Sequence, residues 1–309
     1  MSETAPPHRR PVGPVPRRQA ISRLAPYCAI VALLPIGGCS VLDHGILGAA
    51  GPVAEQTRSL FLLVCAIMIL VAAPVLLLTP IFAWHYRLSN TESAYRPQWG
   101  FNWPLEGLIW IPPTLIVIVL AVILWRDTHA LDPYKPLASP HAAVEVQAVA
   151  LDWKWLFIYP NEGVASVNEL AFPAERPIHL SLTSGTVMQS LFVPRLGGQI
   201  YAMAGMTTQL NLAANAPGRF RGENTQFNGA GFQNQKFSVL AQSNDDYARW
   251  LARARAGGRT LDPAAYAALT ARSTQAEPIL FGSVTPDLFR SILARNDPGM
   301  QTAHGHHPQ

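Results

Sequence analysis

The sequence contains few cysteines, and all of them lie within its first 65 residues. They are Cys28, Cys39 and Cys65, so no cysteine occurs in the rest of the chain. A disulfide after residue 65 is therefore excluded, and so is any metal centre there that depends on thiolate ligands.

The chain also lacks a charge excess once its N-terminus is set aside. The formal net charge is +4, and residues 1–38 carry five arginines against one acid, Glu3. The remaining residues are neutral overall, and from Asp127 onward 14 acids balance 14 bases. The basic composition is thus a property of the N-terminus and does not predict nucleic acid as a partner.

Two long stretches are nearly free of charge. Ser59–Trp84 contains no charged residue, and Leu105–Trp125 contains only Glu106. A helix that crosses a bilayer core needs about 20 residues, and neither stretch has the polar stripe of a soluble amphipathic helix. Tryptophans lie near the ends of both stretches, as in an aromatic belt. The sequence predicts a transmembrane helical hairpin over residues 59–126, with a cytoplasmic loop over 85–104.

The N-terminus indicates on which side of the membrane the flanking segments lie. Its arginines precede the apolar segment Leu24–Ile36, which is the layout of a secretory signal. The residues that follow, Gly37, Gly38 and Cys39, resemble a bacterial lipobox. We predict a lipoprotein signal peptide over residues 1–38, lipidation of Cys39 and a short periplasmic segment over 39–58.

An uncleaved signal anchor, in which Cys39 is an incidental thiol, is the alternative to a lipoprotein signal. Both interpretations export the residues that follow Cys39. The domain after the hairpin is therefore expected in the periplasm, and the chain in the bacterial inner membrane as a multi-pass protein.

Residues 127–243 show the pattern of short β-strands. Val144–Ala148 and Ile178–Thr183 alternate apolar and polar residues at period two. Turn clusters such as Pro160–Gly163 and Asn215–Gly218 separate segments of this kind. The pattern predicts an exported all-β domain, an antiparallel sandwich or barrel.

The chain becomes helical in character over residues 244–295. Asp245–Ala256 has a helical pattern, Asp262 precedes a proline at a second helix start, and Thr285–Asp287 begins a third helix that ends near Arg295. The tail, residues 296–309, contains three histidines. We expect this tail to be disordered, with loose metal binding as the alternative.

This order of segments resembles subunit II of the haem–copper terminal oxidases, and in particular the cytochrome bo-type ubiquinol oxidase branch. The stretches that carry the resemblance are Thr128–Pro133, Asp152–Pro160, Ser190–Gly197 and Gln199–Met206. The resemblance extends from the lipobox to Arg295. It implies a cupredoxin-like fold for the sandwich, and oxidase subunits I, III and IV as partners within the lipid membrane.

The loop Gly222–Gln235 distinguishes two branches of that family. Copper-bearing relatives have the pattern C-x-E-x-C-x3-H-x2-M there and a further histidine upstream, and these residues hold a dinuclear copper centre. The corresponding positions here, in chain order, are Gln189, Asn224, Gln226, Asn228, Phe232 and Gln235. Amides and a phenyl ring cannot replace bridging thiolates. We therefore expect no metal or other cofactor in this chain, and no catalytic centre of its own.

The resemblance then implies a non-redox subunit II of a quinol-oxidising, proton-pumping respiratory oxidase, which converts ubiquinol and dioxygen to ubiquinone and water. Quinol would react at subunit I, which would also carry the haems and copper, and cytochrome c would not be a donor. The missing ligands argue against a copper-bearing cytochrome c oxidase subunit. A free-standing membrane lipoprotein, using the sandwich as a binding or assembly module, is the remaining alternative.

Two further sets of residues are candidates for a role. Trp153, Trp155, Phe157 and Tyr159 would share one strand face by period two, where packing in the domain or against another subunit is expected. Glu106 follows a proline at the start of the second apolar stretch, which suits a helix N-terminus. The resemblance implies a second interpretation, a carboxylate at the mouth of a proton pathway in the haem subunit.

Overall fold

The computed structural model describes residues 45–93, 98, 100–274 and 277–296. The predicted signal peptide, Cys39 and nearly all of the predicted tail lie outside the described residues.

Two long helices, α1 (Pro52–His85) and α2 (Trp103–Ala130), form the N-terminal part of the described chain. Each has a proline in its first turn, where the missing N–H costs no helical hydrogen bond. The side chain of Asn102 caps α2 by accepting a hydrogen bond from the backbone N–H of Leu105 at 3.2 Å. Both helices are long and apolar enough to cross a membrane. Helix α1 begins seven residues before the charge-free stretch at Ser59.

The all-β domain is a sandwich of two sheets. Its strands are β1 (Val144–Leu151), β2 (Lys154–Tyr159), β3 (Val164–Val167), β4 (Glu169–Pro173), β5 (Ile178–Ser184), β6 (Gln189–Phe192), β7 (Gln199–Ala202), β8 (Thr208–Leu212), β9 (Gly218–Asn224) and β10 (Lys236–Gln242). The first sheet has the order β3-β2-β1-β5-β8, and the second has the order β4-β10-β9-β6-β7. Most neighbouring strands are antiparallel, but β1 with β5 and β10 with β4 are parallel.

The domain core lies between the two sheets. Inward-facing side chains of the first sheet, such as Phe157 and Leu180, meet Leu191, Phe237 and Val239 of the second sheet. All of these side chains are buried. Their alternation with residues of the opposite face is the period-two pattern that predicted the strands.

The C-terminal extension contains three helices, α3 (Asn244–Ala256), α4 (Pro263–Thr270) and α5 (Leu288–Arg295). Three short strands accompany them, β11 (Thr260–Leu261), β12 (Ile279–Phe281) and β13 (Ser283–Val284). The predicted helical extension is thus confirmed but incomplete, because β12 joins the first sheet beside β3. Strands of two or three residues are too short to produce a recognisable period-two pattern.

The extension covers the outer face of the first sheet. Leu156 and Ile158 of β2 pack there with Tyr266, Phe281 and Phe289 of the extension. Every residue of β2 is buried as a result, because one face meets the domain core and the other meets the extension.

The segment that precedes α1 is held by loops of the sandwich. The backbone N–H of Ala50 donates to the carbonyl of Arg195 at 2.7 Å, and the Arg195 guanidinium Nε donates to the carbonyl of Gly48 at 2.7 Å. Gly197 lies against the first turn of α1, and a Cβ on it would be 2.8 Å from the amide nitrogen of Ala54. The base of the sandwich therefore packs directly on the start of α1.

Candidate functional site

Six positions of this chain were matched above to copper ligands of the copper-bearing relatives, and four of them lie close together in the structure. They are Gln189, Asn224, Asn228 and Gln235, which we call the amide cluster. Gln189 begins β6 and Asn224 ends β9, and these strands are neighbours. Gln235 directly precedes β10, the other neighbour of β9. Sheet pairing therefore brings the cluster to one end of the sandwich.

Gln235 is at the centre of the amide cluster. Its Oε1 accepts hydrogen bonds from Nδ2 of Asn228 at 2.7 Å and from Nδ2 of Asn224 at 3.0 Å. Its Nε2 donates to Oε1 of Gln189 and to the carbonyl oxygen of Leu151, the latter at 3.2 Å. The side chain is fully buried. These bonds satisfy a polar group that would otherwise be costly to bury.

The outer members of the amide cluster bind backbone groups. Nε2 of Gln189 donates to the carbonyl of Leu151 at 3.1 Å. Oδ1 of Asn224 accepts from the backbone N–H groups of Ser190 at 2.9 Å and Gln226 at 3.0 Å. The amide oxygens of these residues are thus occupied by hydrogen bonds. The exception is Oδ1 of Asn228, which is buried without a hydrogen-bond partner.

The other two positions matched to copper ligands, Gln226 and Phe232, lie outside the amide cluster. Gln226 is half-buried and contributes its backbone N–H and carbonyl to Asn224. Phe232 is half-buried and packs against Phe227, with ring centroids 5.7 Å apart. The structure therefore brings together four of the six positions named from the sequence.

The amide cluster does not fit a dinuclear copper centre. Its donors are neutral amides engaged with one another, and copper sites of that class require soft thiolate and imidazole ligands. Within the described residues no group of three His, Cys, Asp or Glu side chains is placed to hold a metal ion.

The aromatic residues of the Asp152–Pro160 stretch divide into two environments. Trp155, Phe157 and Tyr159 lie on the inward face of β2, where each is fully buried. Trp153 precedes the strand, in a turn where its φ is +67°. Its ring lies over Gly231, where any Cβ would overlap the indole. The positive φ rotates Trp153 off the strand face, so it covers the loop that ends at Gln235.

The turn that carries Trp153 is also held by the C-terminal extension, a contact that the sequence pattern did not reveal. Nζ of Lys154 donates to the carbonyl of Ala271 at 2.8 Å and to Oγ of Ser273 at 2.6 Å. Arg272 forms an ion pair with Asp152, with 2.9 Å between Nε and Oδ2. Burial lowers the pKa of Lys154, and the nearby Asp152 carboxylate opposes that shift. The two hydrogen bonds of Lys154 and the ion pair of Asp152 thus join the turn to the extension.

Glu106 lies in the first turn of α2. Its Oε2 accepts a hydrogen bond from the indole Nε1 of Trp110 at 3.2 Å, one helical turn further on. Its backbone N–H donates to the carbonyl of Asn102 at 2.9 Å. The carboxylate is half-buried. Glu106 lies in the second apolar helix and the amide cluster in the second sheet of the sandwich, so the two candidate sites belong to different parts of the fold.

Comparisons with known proteins agree with this arrangement. A family model described as the COX Aromatic Rich Motif matches residues 255–298, most of the C-terminal extension. The cytochrome bo(3) ubiquinol oxidase subunit 2 of Pseudomonas aeruginosa is 40% identical over 91% of this chain and 85% of its own. The protein of the same name from Pseudomonas putida is 41% identical over 93% of this chain and 90% of its own. The ubiquinol oxidase subunit 2 of Acetobacter aceti is 42% identical over 92% of each chain.

Solved structures share part of the chain at low similarity. The periplasmic domain of cytochrome oxidase subunit II from Bradyrhizobium japonicum covers 37% of this chain, with 22% identity and a TM-score of 0.34. A chain of a haem–copper terminal oxidase dimer covers 46%, with 13% identity and a TM-score of 0.34.

The apolar hairpin, the two-sheet domain and the relatives define a membrane-anchored subunit of a ubiquinol oxidase, an oxidoreductase complex. Within that class, the chain belongs to the cytochrome bo(3) ubiquinol oxidase subunit 2 family. The family predicted from the sequence is thus confirmed. The two apolar helices and the bacterial relatives fit the predicted location in the inner membrane. None of these relatives favours a free-standing lipoprotein.

Proposed function

We propose that this chain is the non-redox subunit of a quinol-oxidising, proton-pumping terminal oxidase that converts ubiquinol and dioxygen to ubiquinone and water. In this proposal electrons pass from quinol into subunit I without entering this chain. The chain supports assembly of the complex and delivers protons to the haem subunit. Its partners are oxidase subunits I, III and IV and membrane lipid.

The observation that carries the proposal is the amide cluster. A water-soluble one-electron donor such as cytochrome c needs an electron acceptor on the periplasmic side. Gln189, Asn224, Asn228 and Gln235 have no accessible redox state, and apart from Oδ1 of Asn228 their amide oxygens accept hydrogen bonds from one another or from the backbone. The domain also has no acidic excess that would attract a basic cytochrome. We therefore assign the haems and copper of the complex to subunit I and none to this chain.

The choice of electron donor tests this proposal. Oxygen uptake by the purified complex is measured with a short-chain ubiquinol and, separately, with reduced cytochrome c. We expect uptake with ubiquinol alone. Cytochrome c oxidation at a comparable rate would contradict the proposal.

Proton entry is the second part of the proposal, and Glu106 is its candidate residue. It lies at the start of α2, next to the loop over 85–104 that is expected in the cytoplasm. The Trp110 indole holds one carboxylate oxygen and thereby limits the rotamers of the side chain. An ionisable group at the end of an apolar span is a functional candidate. A carboxylate held at that place can collect a proton from the cytoplasm and release it towards subunit I.

Replacement of Glu106 by glutamine separates this role from helix capping. Glu106→Gln preserves size and the capacity to accept from Trp110, but the amide cannot carry a transferable proton. We expect ubiquinol-driven oxygen uptake to fall severalfold while haem content and subunit composition stay normal. Trp110→Phe is the matched control, because it removes the indole donor and keeps the carboxylate. Wild-type turnover in a fully assembled Glu106→Gln complex would leave Glu106 as a helix-start residue only.

A further inference from the structure

The outer face of the second sheet carries three cationic side chains that the proposed function does not use. They are Arg219 and Arg221 of β9 and Lys236 of β10, which we call the basic cluster. Successive side chains of a strand point to opposite faces. Phe220, between the two arginines, and Phe237, next to the lysine, are buried in the core. The basic cluster therefore faces away from the core.

Strand pairing brings the members of the basic cluster together. The antiparallel register of β9 and β10 places Ser238 opposite Arg221, and Nη2 of Arg219 donates to Oγ of Ser238 at 3.0 Å. Residues two apart in a strand are about 7 Å from each other, which is the spacing of Arg219 from Arg221 and of Lys236 from Ser238. All three cations line one surface cavity of about 580 Å³.

The basic cluster has few acidic neighbours. Nη2 of Arg221 lies 3.6 Å from Oε2 of Glu223, and the arginine side chain is 60% exposed. An exposed ion pair of this kind is weak, so Arg221 can exchange Glu223 for another carboxylate. Among the described residues, neither Arg219 nor Lys236 forms an ion pair, and Glu277 is the acid that lines the cavity.

The cations are concentrated on this face of a domain that is neutral overall. From Asp127 onward 14 acids balance 14 bases, so the excess of positive charge at the cavity is local. The C-terminal extension covers the outer face of the first sheet. In the part of the chain that the structure describes, the three cationic side chains of the second sheet are exposed. This face is therefore complementary in charge to an acidic partner.

We propose that the basic cluster docks an acidic polypeptide segment of another oxidase subunit. The inference rests on the proposed function, in which other subunits are the partners of this chain. Guanidinium groups bind carboxylates through paired N–H donors, and a lysine ammonium acts as a compact point charge. The spacing of Arg219 and Arg221 matches carboxylates at alternate positions of an extended segment.

Carbodiimide cross-linking of the intact purified oxidase tests the proposal, because the reagent joins a lysine amine to a carboxylate in direct contact. The sequence contains lysine at positions 135, 154 and 236. Lys154 is buried, whereas Lys135 and Lys236 are exposed. We expect proteolysis and mass spectrometry to find Lys236 joined to an Asp or Glu of another subunit. Lys236→Arg keeps the charge but removes the amine, so it should lose this product while the complex stays intact.

Lys135→Arg is the matched control for the lysine, and it should keep the Lys236 product. The double variant Arg219→Gln with Arg221→Gln retains the Lys236 amine but removes its cationic neighbours, so the product yield should fall severalfold. An equal loss of charge elsewhere, at the exposed Arg253 of α3 and Arg290 of α5, should leave the yield unchanged. Salt at 1 M, where charges are screened beyond about 3 Å, should also reduce the yield.

An intact complex that gives no Lys236 product would overturn the proposal. A product formed only with an acid of this chain, such as Glu223 or an acid of a second copy, would overturn it too. A phospholipid phosphate at the cluster would form no amide and so counts against it. Haem that co-purifies with this chain tests the partnership separately. Missing haem would contradict the proposed function, whereas haem without the Lys236 product would contradict only this inference.

Discussion

The amide cluster allows a stability prediction for the substitution Gln235→Leu. The Gln235 side chain takes part in four hydrogen bonds and is fully buried. Leucine has a similar volume but no polar atom. In the variant, Nδ2 of Asn224 can still donate to the carbonyl of Gln226, and Nε2 of Gln189 can still donate to the carbonyl of Leu151. Nδ2 of Asn228 and Oε1 of Gln189 lose the partner that the structure gives them.

Each buried polar atom left without a partner costs about 1–3 kcal/mol, so the two together cost about 2–6 kcal/mol. For a domain of this size, one kcal/mol changes the melting temperature by roughly 2–4 °C. We therefore expect Gln235→Leu to lower the melting temperature of the sandwich domain by roughly 4–24 °C. The transition can be followed in the full chain by near-ultraviolet circular dichroism, which reports the buried tryptophans.

Gln226→Leu is the matched control for this experiment. It makes the same chemical change at another former ligand position, where the recorded hydrogen bonds are made by the backbone. We expect its melting temperature to stay within about 2 °C of wild type, because substitutions away from such contacts usually change stability by less than about 0.5 kcal/mol. Equal melting temperatures for Gln235→Leu and Gln226→Leu would refute the role given to the cluster.

Three further predictions concern other parts of the chain. Radioactive palmitate should label the wild type and not Cys39→Ser, and an unlabelled wild type would remove the lipidation hypothesis. Gly197→Ala should destabilise the domain more than Gly163→Ala in thermal unfolding, because both glycines have positive φ but only Gly197 contacts α1; equal losses would argue against that contact. Burial raises the pKa of Tyr266 to about 12, so the folded chain keeps a proton that the unfolded chain loses above pH 10. The free energy of unfolding, measured by urea titration, should therefore fall between about pH 10 and pH 12, and it should fall less steeply in Tyr266→Phe. The same dependence on pH in both proteins would contradict this.

The sequence predicted those features of the fold that depend on local patterns. The charge-free stretches marked α1 and α2, and the period-two segments at Val144 and Ile178 became β1 and β5. Asp262 caps α4 as expected, accepting a hydrogen bond from the backbone N–H of Ala265 at 2.7 Å. Caps and periodicities involve residues that are close in the chain, which makes them visible without a structure.

Features that depend on distant contacts were not predictable in the same way. The parallel pairing of β1 with β5 joins strands that are separated by three others in the chain. Lys154 bonds to Ala271, 117 residues away, and no local pattern indicates that pair. Trp153 departs from the predicted strand face because its φ is positive, which is uncommon for a residue with a bulky side chain.

In the candidate site, the residue positions were predictable from the sequence but their contacts were not. The positions Gln189, Asn224, Asn228 and Gln235 were named from the sequence, and their residue types alone argue against copper. The hydrogen bonds among these amides could not be predicted from the sequence, because they depend on the pairing of β6, β9 and β10. The Trp110 contact of Glu106 spans one helical turn, but an indole and a carboxylate four residues apart do not by themselves indicate a bond.

The central claim, that this chain lies outside the electron path, is tested most directly by copper analysis of the intact oxidase. The complex is treated with excess chelator, and copper and haem are then measured by mass spectrometry together with the electron paramagnetic resonance spectrum. We predict copper equal to the content of the haem subunit alone and no signal from a mixed-valence dinuclear centre. Two additional copper ions per complex, accompanied by that signal, would contradict the account.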